Sequence, residues 1–518
     1  MRLFQALVSF ASILASVWAT RVSYANGSIS TPLGNVTGTP TIPGVYRFVF
    51  RYANAARWRP ATAVTTLESI STLPPVCPQE LPDGSGWTGQ EDCLFLVLYV
   101  PDNFGGSAIT WLHGGSLIVG GANDPAIEGS HLALATQSIV AVLQYRLGVL
   151  GFLPPRLGSG AFNANLGVQD AILALNIFHT VLPSFNSSSQ KVVLAGHSAG
   201  AFLIRAIVAS PSASALYAKV IMHSDTLNYG FYNISTLVAL QDGFFATVNC
   251  TPTNVTCQNI LSLETIMNAQ LDFNPADFDP STLGPIPFRP VHDGSLITTT
   301  LTTSFPSTLK PLLLTTVHDE GAPTIFGAID FVLPSAAYSQ VLSGVLPDFR
   351  AEAVLNSSFY QLDTDDSDTV REELKDIVTD LGWRCPDWVF ARAWASRIPT
   401  VFTGVFLLGG LHSSNAGIEF CSESDVHVCH SDDLPILFGT QENPTDAQSA
   451  LITEVQARWS NFIRSSTPNP TGALTWSATT SSSANTFTLG GSGPIAAGAC
   501  ASFWGTPEAP FDYQLWGL

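Results

Sequence analysis

The chain has 518 residues, 46% hydrophobic and 12% charged, with 40 Asp and Glu against 21 Lys and Arg for a net charge of −19. That apolar content excludes a disordered chain, and an acidic protein without a basic cluster is repelled by phosphate backbones, which excludes nucleic acid as a partner. In chain order, "MRLFQALVSFASILASVWAT" has one early cation, Arg2, then an apolar stretch closing on small residues at Ala15 and Ala19. It reads as a secretory signal peptide over residues 1–19, leaving one domain over 20–518. Gln5 and several serines dilute it too far for an anchor, and no later segment reads as a span. The closing "FDYQLWGL" lacks the apolar tail of a lipid-anchor signal. No stable membrane insertion is expected, and oligomeric state is not legible.

Seven apolar, β-branched runs read as buried strands: Phe95–Val100, Ala108–Leu112, Ile139–Gln144, Val192–Ala195, Val220–His223, Leu312–Val317 and Val401–Leu408. Helical stretches such as Leu166–His179 and Ala201–Ala209 lie between them. Strands alternating with helices predict an α/β fold with a central, mostly parallel sheet covered on both faces. Residues 225–310 are expected to form a helical excursion above it. The Ser/Thr/Ala-rich piece Ser477–Ser483 reads as a surface loop before the strand-like "NTFTL". No internal repeat is present.

Export has two further supports. Eight cysteines are present, an even number, with no zinc-type C-x-x-C pair. Asn26, Asn35, Asn186, Asn233, Asn249, Asn254 and Asn356 each open an Asn-x-Ser/Thr acceptor for N-glycosylation.

The chemistry centres on "VVLAGHSAGAFLIRAI", where Gly196 and Gly200 flank Ser198 between an apolar run and a helical one. This is the layout of a sharp strand-to-helix turn that lifts a serine hydroxyl clear of a sheet. Alone it is a weak signal. A serine nucleophile also needs a base, a group orienting that base, and N–H donors for the oxyanion. The chain offers "WLHGGS" upstream, and acids and histidines downstream, with Asp319 beside Glu320 and His412 and His427 beside His430 as competitors.

Taken in order, "RYANAARWRP", "CPQ", "EDCLFLVLYVP", "WLHGG", "YRLGVLGFL", "NLGVQD", "GHSAGA", "HDEG" and "CHSDDLPILFG" resemble the type-B carboxylesterase (cholinesterase/lipase) family of α/β-hydrolases, and its secreted fungal members in particular. The blocks span nearly the whole mature chain. The resemblance implies an α/β-hydrolase fold and a serine carboxylesterase in which Ser198 is the nucleophile, Glu320 the acid and His430 the base. It implies backbone donors at Gly115, Ser116 and Ala199, and a structural ion pair between Arg146 and Asp170. It pairs Cys77 with Cys93 and Cys250 with Cys257. Cys385 and Cys500 match a third family bridge, which leaves Cys421 with Cys429, although four cysteines permit three pairings.

The chain departs from the family at three points. The residue before the serine is His197 where Glu is usual, which removes a charge and bears on the pH profile more than on the reaction. The third residue of the oxyanion turn is Ser116, whose Cβ restricts φ. The usual Gly-Gly-Asp-Pro before the elbow is replaced by "FNSSSQ".

The implied substrate is a small-molecule ester, with no metal and no organic cofactor, because a triad and its donors suffice. The Cys77–Cys93 loop, "CPQELPDGSGWTGQEDC", is short, acidic and rich in Gly and Pro, unlike the long amphipathic flap of the family's lipases. It offers little apolar face to a lipid surface, so esterase rather than interfacial lipase activity is expected. Two alternatives remain: an acyl transferase of the same fold in small-molecule metabolism, and a non-catalytic cholinesterase-like binding module.

Overall fold

In the computed structural model, residues 27–504 are described except 82–83, 157–162, 227–228, 280–281, 283–285, 303, 347, 364–366, 425, 493–494, 497 and 502–503. The segment read as a signal peptide, Asn26 and the closing "FDYQLWGL" lie outside them.

All seven expected strands form. Together with three N-terminal strands and the strand-like "NTFTL" they are β1 (Ser28–Thr31), β2 (Gly34–Pro40), β3 (Val45–Arg51), β4 (Phe95–Pro101), β5 (Ser107–Leu112), β6 (Ser138–Leu143), β7 (Val192–His197), β8 (Lys219–His223), β9 (Leu312–Val317), β10 (Val401–Phe406) and β11 (Phe487–Leu489). Their order in one sheet is β1-β2-β3-β4-β6-β5-β7-β8-β9-β10-β11, with Ser69–Ile70 pairing beside β3. From β6 to β11 every neighbouring pair is parallel, while β1 to β4, and β4 with β6, run antiparallel. The antiparallel meander β1–β3 is not foreseen from the sequence.

The pleat sorts side chains to two faces. On β4, Leu96, Leu98 and Val100 join one core and Phe95, Val97 and Tyr99 the other. The first core is closed by α2 (Leu166–Val181), α3 (Ala199–Val208) and part of α5 (Cys385–Ala395); the second by α1 (Ser130–Thr136), α6 (Asp433–Phe438) and α7 (Asp446–Ser465). Helix α3, "AGAFLIRAIV", is buried all round, which accounts for its nearly unbroken apolar sequence. Helix α7 starts on a capping box, Thr445 with Gln448. One helical stretch among the described residues, Leu166–Phe185, is long and apolar enough to cross a bilayer, and it is mostly buried beneath the sheet.

The excursion after β8 is helical over Ile234–Thr247, Val255–Ile260 and Leu263–Asp272, and largely irregular from there to β9. A second excursion, unforeseen, follows β9. It contains Tyr338–Val345, Asp348–Leu355 and α4 (Thr369–Thr379), and it packs its own core around Leu342, Val354, Leu374 and Trp388. Four disulfides join Cys77 to Cys93, Cys250 to Cys257, Cys385 to Cys500 and Cys421 to Cys429, the pairing expected above.

Candidate active site

Ser198 sits between β7 and α3 with φ 54° and ψ −124°, a conformation side chains other than glycine rarely adopt. The surrounding glycines explain how it is tolerated. A Cβ on Gly200 would lie 2.1 Å from Leu112 O, and one on Gly196 would lie 2.9 Å from that same oxygen. Only bare backbone lets the turn press against the end of β5. A hydrogen bond from Ser198 N to His223 O (2.8 Å) ties the turn to β8. The Ser198 hydroxyl makes no hydrogen bond among the described residues.

The turn after β5 faces it. Gly115, Ser116 and Leu117 take φ of 105°, 55° and 60°, and the N–H groups of Ile118 and Val119 both bond Gly115 O at 2.9 Å. Ser116 therefore adopts the left-handed conformation that its Cβ disfavours. The N–H groups of Gly115, Ser116 and Ala199 have no partner among the described residues. His113 anchors the turn: its ring stacks on Tyr145 at 4.5 Å, and Tyr145 OH donates to His113 O at 2.7 Å. Burial pushes the His113 imidazole down to about 4, so it is neutral near pH 7.

Glu320 and His430 meet from opposite ends of the chain. His430 Nδ1 donates to Glu320 Oε2 at 2.5 Å, while Glu320 Oε1 accepts from Val317 N at 2.9 Å. With its proton committed at Nδ1, the ring has a lone pair left at Nε2. Ser198, His430, Gly115 and Ser116 line one cavity of about 270 Å³, along with Trp111, Asp124 and His412.

The competitors separate on geometry. Asp319 is occupied elsewhere: Oδ1 accepts from Lys375 Nζ at 2.9 Å and Oδ2 from Val428 N at 3.1 Å. His412 reaches the cavity, but its Nδ1 is 2.7 Å from Ser414 Oγ and its Nε2 is 3.4 Å from Asp124 Oδ2. His427 stacks on Phe420 at 3.8 Å and does not line the cavity. Arg146 and Asp170 form a buried two-pronged pair, with both N–O distances 2.7 Å.

Several contacts have no counterpart in the sequence reading, which singled out His197 only as the residue before the serine. His197 lies with its ring 4.7 Å from that of His430, and the buried carboxylate of Asp433 joins His223 at 2.8 Å. A π-helical turn, Asp380–Arg384, brings Trp383 to 5.4 Å from His430. Such turns often mark functional sites. Each contact joins segments remote in sequence, so no local pattern announces it.

A hydroxyl, an imidazole oriented by a carboxylate, and unpaired N–H groups around one cavity can carry out acyl transfer through serine. Comparison with known proteins points the same way. A model of the carboxylesterase family matches residues 25–497. The para-nitrobenzyl esterase of Bacillus subtilis (strain 168) is 25% identical over 504 residues, 87% of this chain and 92% of that protein. Carboxylesterase 1D of Rattus norvegicus is 24% identical, covering 81% of this chain and 79% of its own length. A solved thermophilic PNB esterase superposes with TM-score 0.71 at 24% identity, over 90% of this chain and 96% of that one. That likeness shows the α/β-hydrolase fold.

Proposed function

The chain belongs to the carboxylesterase family and is a carboxylic ester hydrolase of the serine type; from that premise we propose that Ser198 attacks the ester carbonyl with His430 as general base and Glu320 as the group orienting it. The single observation that carries this reading is the 2.5 Å bond from His430 Nδ1 to Glu320 Oε2, made beside the cavity that Ser198 lines. Nε2 takes the serine proton as the tetrahedral intermediate forms, and the N–H groups of Gly115, Ser116 and Ala199 receive its oxyanion. The same nitrogen then protonates the departing alcohol. Water, deprotonated by His430, releases the acid from the acyl-enzyme.

The enzyme acts on dissolved or small esters rather than at lipid surfaces. Support comes from the Cys77–Cys93 loop, which is pinned to the turn it would have to uncover. Gln79 donates to Gly120 O at 3.0 Å and accepts from Gly120 N at 2.8 Å. At the loop's other end Glu91 receives two bonds from Arg57, at 2.7 and 2.6 Å.

The protein is a secreted glycoprotein, one domain over 20–518 behind a cleaved leader. Four disulfides fit an oxidising compartment. Asn35, Asn186, Asn233, Asn249, Asn254 and Asn356 are all exposed, as acceptors must be.

A fluorophosphonate probe tests the mechanism. It should label Ser198, while Ser198→Ala should stay unlabelled and lose about 10⁴-fold or more of kcat without a change in thermal unfolding. Labelling at another serine would overturn the assignment.

A further inference from the structure

Behind His430 lies a second imidazole–carboxylate pair that the mechanism above leaves unused. His197 is buried, and its ring contacts that of His430 at 4.7 Å with a tilt of 42°. On its far side His197 Nε2 faces Asp433 Oδ1 at 3.9 Å, and neither of these buried atoms has a hydrogen-bond partner among the described residues. The other oxygen of Asp433 lies 2.8 Å from His223 Nδ1, and His223 Nε2 accepts from Trp459 Nε1 at 3.3 Å.

These contacts fix the protons. An indole N–H only donates, so His223 carries its lone pair at Nε2 and its proton at Nδ1, and Asp433 is the acceptor. An acceptor oxygen facing His197 Nε2 calls for N–H at that nitrogen. His197 Nδ1 then turns its lone pair toward Gly114, where a Cβ would come within 3.0 Å of it. His197 is thus an uncharged ring between a buried anion and the catalytic imidazole. Burial first, then the nearness of His430, hold it well below the ordinary histidine value against the pull of Asp433.

Other ionisable groups surround the pair. Glu320 faces His430 from the turn after β9, and His113 and His412, the latter backed by Asp124, line the same cavity. None of them puts an anion in ring contact with His430 on the side that His197 occupies. A carboxylate there would stabilise the protonated base at rest, and on acidification activity would already be lost at a higher pH.

We propose that His197 sets the acid limit of hydrolysis: a neutral ring against His430, in the place of an anion, extends activity to lower pH. His197 is a positioning residue here, acting through His430, and the proposal rests on His430 being the base.

The test is the pH dependence of kcat/KM for a soluble short-chain ester, measured on the full chain. His197→Gln keeps an uncharged donor and should leave the acid midpoint within about 0.3 unit of wild type. His197→Glu should raise that midpoint by about one unit. Asp433→Asn removes an anion and should lower it. Opposite shifts are the signature, since a merely structural role would reduce activity without moving the limb. An unmoved midpoint in His197→Glu, or shifts of the same sign in His197→Glu and Asp433→Asn, would overturn the proposal. Should His197→Glu fail to fold, Asp433→Asn carries the test alone, and an unmoved or raised midpoint there counts against it. His430→Ala separates the two readings: activity surviving that change sinks the base assignment itself.

Discussion

Ser198 stands on a turn made possible by glycines within two residues of it, whereas His430 stands on a loop held by cross-links to segments far away in sequence. On the serine side the restraint is steric, two glycines pressed against the carbonyl end of β5. On the histidine side it is a set of cross-links. An isolated bridge pairs Asp319 with Cys429, Asp319 N donates to Val428 O at 2.9 Å, and the Cys421–Cys429 disulfide closes the segment before the imidazole. Lys375, from α4, neutralises Asp319 from behind. A serine hydroxyl can thus be placed by local backbone geometry. An imidazole arriving from another part of the chain, the base of the proposed mechanism, has to be clamped.

The comparison predicts that damage on the serine side is global and damage on the histidine side is graded. Gly200→Ala is the harshest case: with the new Cβ 2.1 Å from Leu112 O, β5 and β7 cannot both keep their places. It should cost about 4 kcal/mol or more and abolish activity together with soluble expression, read by yield and thermal unfolding. Lys375→Met strands a buried carboxylate and should cost about 3 kcal/mol. It should also lower kcat by roughly tenfold, as the His430 loop loosens.

The same pair gives a pH signature. Burial opposes ionisation of Asp319, but the hydrogen bond from His318 and the charge of Lys375 outweigh it and hold the carboxyl far below its ordinary value. A folded-state value below the unfolded one stabilises at pH above about 4, and that stabilisation is lost as pH falls further. Wild type should therefore lose thermal stability below about pH 4 more steeply than Lys375→Met.

Converting Cys421 and Cys429 together to Ser opens a loop with a sequence separation of 8. It should cost about 2 kcal/mol, and slow fluorophosphonate labelling while leaving the sheet intact by circular dichroism. The smallest effect is expected at the Cys77–Cys93 loop. Because Gln79 holds it to Gly120, hydrolysis of a short-chain ester should not jump when the ester passes its solubility limit. A sharp jump would show that the loop opens.

The serine side was the more legible in the sequence for the same reason. Gly196, Ser198 and Gly200 form a local pattern, and continuous apolar runs mark the parallel strands because both their faces are buried. Strands β1 and β2 carry little strand signal, since "SIST" and "GNVTGTP" are short and rich in Gly, Thr and Ser, whereas the apolar pattern of β3, "VYRFVFR", was there to be read. The helices after β9 were missed because their core is a separate cluster with no tie to the sheet pattern. Glu320 could not be told from Asp319 by composition. What divides them is a lysine on α4 and an amide at Val428, both supplied by tertiary structure. The His197–Asp433–His223 array draws on three segments, so only folding makes it visible.

The Asp319–Cys429 bridge also orders events during synthesis. If the proposed triad is the working one, the imidazole has no acid partner until the segment bearing His430 has emerged and docked beside β9. On that reading a nascent chain stays silent toward esters it meets on the way, and hydrolytic competence arrives only with that docking.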